Sequence, residues 1–176
     1  MQILLQCVDL VSRAIVLFSR FVIIASGIAL TVVMTANVFA RYSLESGGFS
    51  FAQELPMLMF PWFIIAGIVL AAHAGGHMAV EWLYEKLGGG LRTGAFILAN
   101  AISIVSFLVL AYQSAVVAEI AGLEQSPVLQ LPNSIGYYAL SIGSLLVAFV
   151  TFSATLRVLR FGWEHRIEIK VEEMPI

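Results

Sequence analysis

Residues 21–40 form an uninterrupted apolar run without an ionisable side chain. A helix needs about 20 such residues to cross roughly 30 Å of hydrocarbon. Because 60% of the chain is hydrophobic and only 11% is charged, with a mean hydropathy of +0.96, the composition excludes an ordinary soluble domain. The chain is therefore predicted to be an all-α integral membrane protein, a single domain over residues 1–176. Its predicted transmembrane helices cover residues 21–40, 55–72, 93–118 and 132–156.

The distribution of Lys and Arg predicts the orientation of these helices. An even number of spans puts both termini on one side, and basic residues near span ends stay in the cytoplasm. With a cytoplasmic N-terminus, eight of the nine basic residues lie inside and only Arg41 lies outside. We therefore expect a multi-pass protein of the bacterial inner membrane with both termini, and the tail 157–176, in the cytoplasm.

Two segments outside the spans have the pattern of amphipathic helices. In residues 1–20, polar side chains recur close to the helical period among Ile, Leu, Val and Phe. This pattern predicts an N-terminal interfacial helix lying in the headgroup plane; the alternative is a cytoplasmic extension of the first span. Residues 78–87 predict a short interfacial helix between spans two and three, with Trp82 and Tyr84 at headgroup depth.

Several residues at or near the spans predict contacts between helices. Pro61 removes a backbone hydrogen bond from span two, so the kink is expected to face protein rather than lipid. Gly136 and Gly143 fall on one side of span four, which favours close packing inside this chain over packing against a partner. Arg41 and Glu54 lie at similar depth at the ends of two antiparallel spans, so a salt bridge between them is expected.

The stretch AAHAGGHMAVEWLYEKLGGG places His73, His77 and Glu81 four residues apart. On a continuous helix these side chains would share one face and could chelate a metal. Gly75 and Gly76 weaken helix continuity between the histidines by about 1 kcal/mol each. The favoured interpretation is a polar bend at the membrane surface, with metal binding as the alternative.

The positions of the ionisable residues argue against several classes of activity. A haem anchor would place axial histidines inside the bundle, but the three histidines lie outside the spans or at their edges. An autonomous ion-coupled transporter usually carries charged side chains within its spans, and these spans have none. Neither a phosphate-binding loop nor a basic stripe for nucleic acid is present. A non-catalytic accessory subunit is favoured, and the membrane anchor of a respiratory or redox complex stays open as the alternative.

Four short motifs resemble one transporter family, the small membrane subunit (DctQ-like) of tripartite ATP-independent periplasmic (TRAP) transporters. Their order and spacing cover about residues 37 to 83 and carry the resemblance. The motifs are Asn37-x-x-x-Arg41-Tyr42, Ser50-x-x-x-Glu54-Leu55, Trp62 with Gly67, and Gly76-His77-x-x-Val80-Glu81 followed by Trp82.

The resemblance implies a non-catalytic small permease subunit of a sodium-coupled secondary importer for an organic acid, such as a C4-dicarboxylate or a sialic acid. Besides the lipid bilayer, it implies two protein partners. One is a large membrane subunit, which would bind sodium and substrate, and the other is a periplasmic substrate-binding protein. No cofactor is expected in this chain. Arg41, Tyr42 and Glu54 would lie on the side facing the binding protein, whereas His77 and Glu81 would orient the connecting helix at the cytoplasmic surface.

Overall fold

The computed structural model describes residues 2–43, 47–74 and 86–163. Within these ranges the chain is all-α and contains no extended strand. Each of the four helices described is long and apolar enough to cross a membrane. They are α1 (Gln2–Ser43), α2 (Phe51–His73), α3 (Gly89–Ala121) and α4 (Ser134–Phe161). The prediction of an all-α fold with four helices able to span a membrane is therefore confirmed.

The N-terminal segment differs from the prediction of a separate helix over residues 1–20. Helix α1 continues through residue 20 without a break, because neither Pro nor Gly occurs before Gly27. Its 42 residues extend about 63 Å at about 1.5 Å per residue, roughly twice the hydrocarbon thickness. The structure thus matches the alternative in which this segment extends the first span. The predicted short helix over residues 78–87 lies mainly outside the described residues.

Helix α4 is the central element of the bundle. More than half of its most apolar stretch, 56%, is buried, compared with 17–22% for the other helices. It packs against α1, α2 and α3, and α1 also packs against α2. The bundle has two ends. At the Glu54 end, α1 and α3 finish and α2 and α4 begin. At the Asp9 end, α1 and α3 begin and α2 and α4 finish.

The interior of the bundle is built from small and hydroxyl side chains. Gly143 of α4 faces Ile65 of α2 so closely that a Cβ atom at residue 143 would overlap the Ile65 side chain. Pro61 of α2 lies against Gly136, where a Cβ atom would come within 3.3 Å of its Cγ. Pro61 therefore contacts α4, and the two glycines pack against α2 inside the chain, as predicted. Large apolar side chains cover the outside instead, since lipid solvates them as well as a core does.

Two hydrogen bonds join α3 to α4. Asn100 is buried and donates through Nδ2 to Thr155 Oγ1 over 2.9 Å, and Thr155 donates in turn to the Thr151 carbonyl. Farther along α3, the Ser141 hydroxyl donates to the Ala111 carbonyl over 2.8 Å. Satisfying these groups inside the protein is favoured because hydrocarbon offers no partner.

Candidate functional site

Asn37 fastens the connection between α1 and α2 at the Glu54 end. Its side chain is only 5% exposed, and its Oδ1 accepts a 2.7 Å hydrogen bond from the Phe49 backbone N–H. Gly48 lies directly against this amide: a Cβ atom at residue 48 would overlap Asn37 Oδ1 and approach the Asn37 carbonyl to 3.2 Å. A side-chain acceptor and a glycine are therefore both needed for this close approach.

Glu54 lies in the first turn of α2 and binds the connection between α3 and α4. Both carboxylate oxygens accept the Val128 N–H at 3.0 Å, and Oε2 also accepts the Leu129 N–H at 2.9 Å. Hydrogen bonds from backbone N–H groups to a carboxylate are stronger than those between neutral groups. Glu54 therefore ties the start of one helix to a loop more than seventy residues away.

The loop that Glu54 binds, residues 122–133, is itself ordered by backbone hydrogen bonds. The Ser126 N–H donates to the Leu131 carbonyl over 2.9 Å, and the Asn133 N–H donates to the Glu124 carbonyl over 3.0 Å. Gln130 has a φ of 52°, the left-handed conformation that reverses the chain. The loop thus presents the two N–H groups to Glu54 from a closed turn.

The expected salt bridge between Arg41 and Glu54 is not formed. Glu54 is occupied by the backbone of the 122–133 loop, while Arg41 is exposed and makes no ion pair with it. The following residue, Tyr42, is 88% exposed. These two side chains, at the last turn of α1, point away from the bundle and are accessible to a partner.

Trp62 and Gly67 lie inside the bundle rather than at either end. Trp62 lines a small cavity between α1, α2 and α4. A Cβ atom at Gly67 would be 3.5 Å from Ile23 Cδ1 of α1, an ordinary contact distance. Both residues belong to the contacts of α2 with its neighbours, so their role in the described structure is packing.

At the Asp9 end, a salt bridge joins the N-terminal extension of α1 to α4. Arg157 NH2 donates to Asp9 Oδ1 over 2.6 Å, with the two side chains 21% and 32% exposed, respectively. Ser12 and Ser19, on the same side of α1, are buried. The ion pair and these small residues hold the extension against the bundle, a contact that sequence patterns did not reveal.

A second contact at the Asp9 end involves the start of α3 and the residues after α4. The Arg92 guanidinium lies 4.1 Å from the centre of the Trp163 ring, which meets the Phe96 ring edge to face at 5.7 Å. Cation–π stacking of this kind suits a membrane surface, where one end of the group is wet and the other apolar. It anchors α3 beside the end of α4.

The residues of the predicted polar bend, which are also the alternative metal ligands, fall mainly outside the described part of the chain. His73 is half-buried at the last residue of α2. Gly76, His77, Glu81 and Trp82 lie beyond the described residues. Within the ranges that are described, no group of three potential His, Cys, Asp or Glu ligands comes together. Metal binding by His73, His77 and Glu81 therefore stays an untested alternative.

Comparison with known proteins gives a consistent result. The family profile described as "Tripartite ATP-independent periplasmic transporters, DctQ component" matches residues 30–161. Two proteins of Haemophilus influenzae, each named "Putative TRAP transporter small permease protein", are 24% and 26% identical over 69% and 75% of this chain. The matches cover 73% and 81% of those two proteins.

A third relative is much longer than this chain. The "Uncharacterized protein y4mM" of Sinorhizobium fredii is 62% identical over all 176 residues, which make up 32% of that protein. The chain therefore spans about a third of the length of this relative.

Proposed function

Because this chain belongs to the DctQ component family of tripartite ATP-independent periplasmic transporters, we propose that it is the small permease subunit of a sodium-coupled importer for an organic acid. Membership makes it a transport-associated, multi-pass subunit of the inner membrane. We further propose that it is non-catalytic and acts by bracing the large membrane subunit while that subunit moves its substrate.

The absence of charged side chains from the four predicted spans is the observation that carries this proposal. A transporter that itself couples ions to substrate usually carries charged side chains within its membrane helices, and residues 21–40, 55–72, 93–118 and 132–156 contain no Asp, Glu, Lys, Arg or His. The sodium and substrate sites are therefore assigned to the large subunit. A C4-dicarboxylate, a sialic acid or a similar carboxylate fits this class.

The hydrogen bonds and ion pair at the two ends support a bracing role. Glu54 and Asn37 fix both loops at one end, and Asp9 with Arg157 fixes the extension of α1 at the other. Contacts that pin both ends limit sliding of the helices past one another. A subunit held in this way provides a fixed surface against which a partner can move.

Docking of the periplasmic binding protein is proposed for the Glu54 end. In the orientation expected from the basic residues, this end faces the periplasm. Arg41 and Tyr42 are exposed at this end, and Phe49 and Phe51, where α2 begins, stack with ring centres 5.4 Å apart and are partly exposed. Exposed arginine and aromatic side chains at one end of the bundle are suitable contacts for a protein surface.

Isolation from native membranes tests the assignment. A tagged copy of this chain, extracted in mild detergent, is expected to bring with it a large multi-span membrane protein in fixed proportion. Recovery of the chain alone, or with a haem- or flavin-containing complex detected by its absorbance, would contradict the proposal. The variant Arg41→Ala should weaken binding of the periplasmic protein more than His73→Ala, which alters the opposite end.

A further inference from the structure

An open groove runs along the outside of the bundle between α2 and the first turns of α4. Its volume is about 610 Å³, and its walls are mainly apolar. The α1 helix does not contribute to its lining. The groove lies toward the Glu54 end, and its lining includes Asn133, just before α4, and Gly136, which lies against Pro61.

The α2 wall of the groove is a continuous stripe of large side chains. Met57, Phe60, Ile64 and Ile68 recur every three or four residues, so they share one side of the helix. They are 75%, 49%, 46% and 36% exposed, respectively, whereas Val69 on the inner side is 1% exposed. This spacing matches the pattern by which one helix packs against another.

The lining of the groove includes Met57, whose backbone carbonyl lacks its usual helical donor. Pro61 has no N–H, so the Met57 carbonyl lacks the hydrogen bond normally made by the residue four positions later. This carbonyl lies 3.9 Å from the position that a Cβ atom of Gly136 would take. An acyl chain has no donor to offer, but a helix carrying a Ser, Thr or Trp side chain does.

Two side chains at the mouth provide further polar groups. Asn133 precedes α4 without capping it through its side chain. Tyr137, one turn later, is 41% exposed. Within the described ranges neither side chain forms a hydrogen bond. Amides and hydroxyls of this kind join helices to one another in membranes.

The long relative indicates where an occupant of this size could come from. All of this chain is matched inside a protein about three times as long. Since the match covers 32% of that protein, about two thirds of it is additional polypeptide joined to a homologue of this chain. A covalent connection of this kind keeps the joined polypeptide at high effective concentration beside the homologous bundle.

We propose that the groove between α2 and α4 is the docking site for a transmembrane helix of the large membrane subunit. The inference rests on the proposed function, which supplies that partner, and adds where on this chain it binds. The partner helix places small or branched side chains against the stripe of Met57, Phe60, Ile64 and Ile68 and a hydrogen-bond donor near the Met57 carbonyl. An exposed stripe of α3 is formed by Leu98, Ile102, Val105 and Val109, and in this proposal it faces lipid instead.

Site-specific photo-crosslinking in native membranes tests this placement. A photoreactive amino acid is introduced at Ile64 or Ile68 in the groove, and at Leu98 or Val105 on α3 as the matched control. The groove positions should form a crosslink to the large subunit, identified by mass spectrometry, whereas the α3 positions should label lipid. A crosslink from α3 but not from the groove would overturn the inference, as would labelling of only lipid or a second copy of this chain from the groove.

A steric test uses the same two surfaces. Ile64→Trp fills a contact that the partner helix needs and should weaken co-purification of the large subunit by about tenfold or more. Val105→Trp adds the same bulk to the lipid-facing stripe and should leave co-purification unchanged. If the unaltered chain retains the large subunit and both variants recover equal amounts of it, the groove assignment is wrong. If the unaltered chain retains no large subunit, the proposed function itself fails.

Discussion

The contact between Asn37 and Gly48 makes a quantitative prediction about the α1–α2 connection. Asn37→Ala leaves the Phe49 N–H without its acceptor, a loss of about 1–3 kcal/mol for a partly buried group. Gly48→Ala introduces a Cβ atom that overlaps Asn37 Oδ1, so the amide must move and the same hydrogen bond breaks. Each single variant should therefore lower the free energy of unfolding by about 1–3 kcal/mol.

The double variant distinguishes this contact from two unrelated defects. Once residue 37 is Ala, the residue 37 carbonyl, at 3.2 Å, remains of the three atoms nearest to the added Cβ atom, and this contact requires a shift of a few tenths of an ångström. The double variant should then cost little more than Asn37→Ala alone. The resulting coupling energy is expected to be about 1–2 kcal/mol, well above the scatter of about 0.5 kcal/mol seen for independent sites.

Unfolding in mixed micelles with increasing dodecyl sulfate, followed by tryptophan fluorescence, measures these free energies. Gly94→Ala serves as a control, because no atom lies within 4 Å of its added Cβ. That substitution in α3 should be neutral or stabilising by up to about 1 kcal/mol. If Gly48→Ala costs the same with Asn37 as with Ala at residue 37, the contact does not hold the loop and the reasoning is wrong.

Three further predictions concern the other polar contacts. Glu54→Gln should speed amide hydrogen exchange at Val128 and Leu129 several-fold, since a neutral amide cannot accept all three hydrogen bonds. Unchanged exchange would count against the binding of the 122–133 loop by Glu54. Asp9→Asn and Arg157→Gln should show a coupling energy of about 1 kcal/mol that falls in high salt, whereas additive effects would mean the ion pair contributes nothing. Asn100→Leu should destabilise the protein by about 0.6–1.7 kcal/mol, while Ser106→Ala, at an exposed position of the same helix, should have no effect.

The helices were predictable because each depends on a local pattern. An apolar run flanked by charges predicts a membrane-spanning helix wherever it occurs. Three of the four runs lie within the observed helices, and the fourth does so except for Pro132 and Asn133, which precede α4. The boundary at residue 20 was not predictable in the same way. The composition changes there, but no residue breaks the helix, so α1 continues past residue 20.

The contacts that organise the two ends depend on residues far apart in the chain. Glu54 was identified through its motif, yet its partners are backbone N–H groups in a loop, which carry no side-chain signal. Asp9 and Arg157 are separated by 148 positions, and only the packing of α1 on α4 brings them together. For Asn37, the motif marked the residue, while its hydrogen bond to Phe49 required the folded loop.

The central claim is that this chain is a bracing subunit that an importer requires although it does not bind the transported substrate. Proteoliposomes containing the large subunit and the binding protein, with or without this chain, test it most directly. Uptake of a labelled organic acid driven by a sodium gradient should occur with this chain and fall to background without it. Full sodium-dependent uptake in its absence would contradict the account.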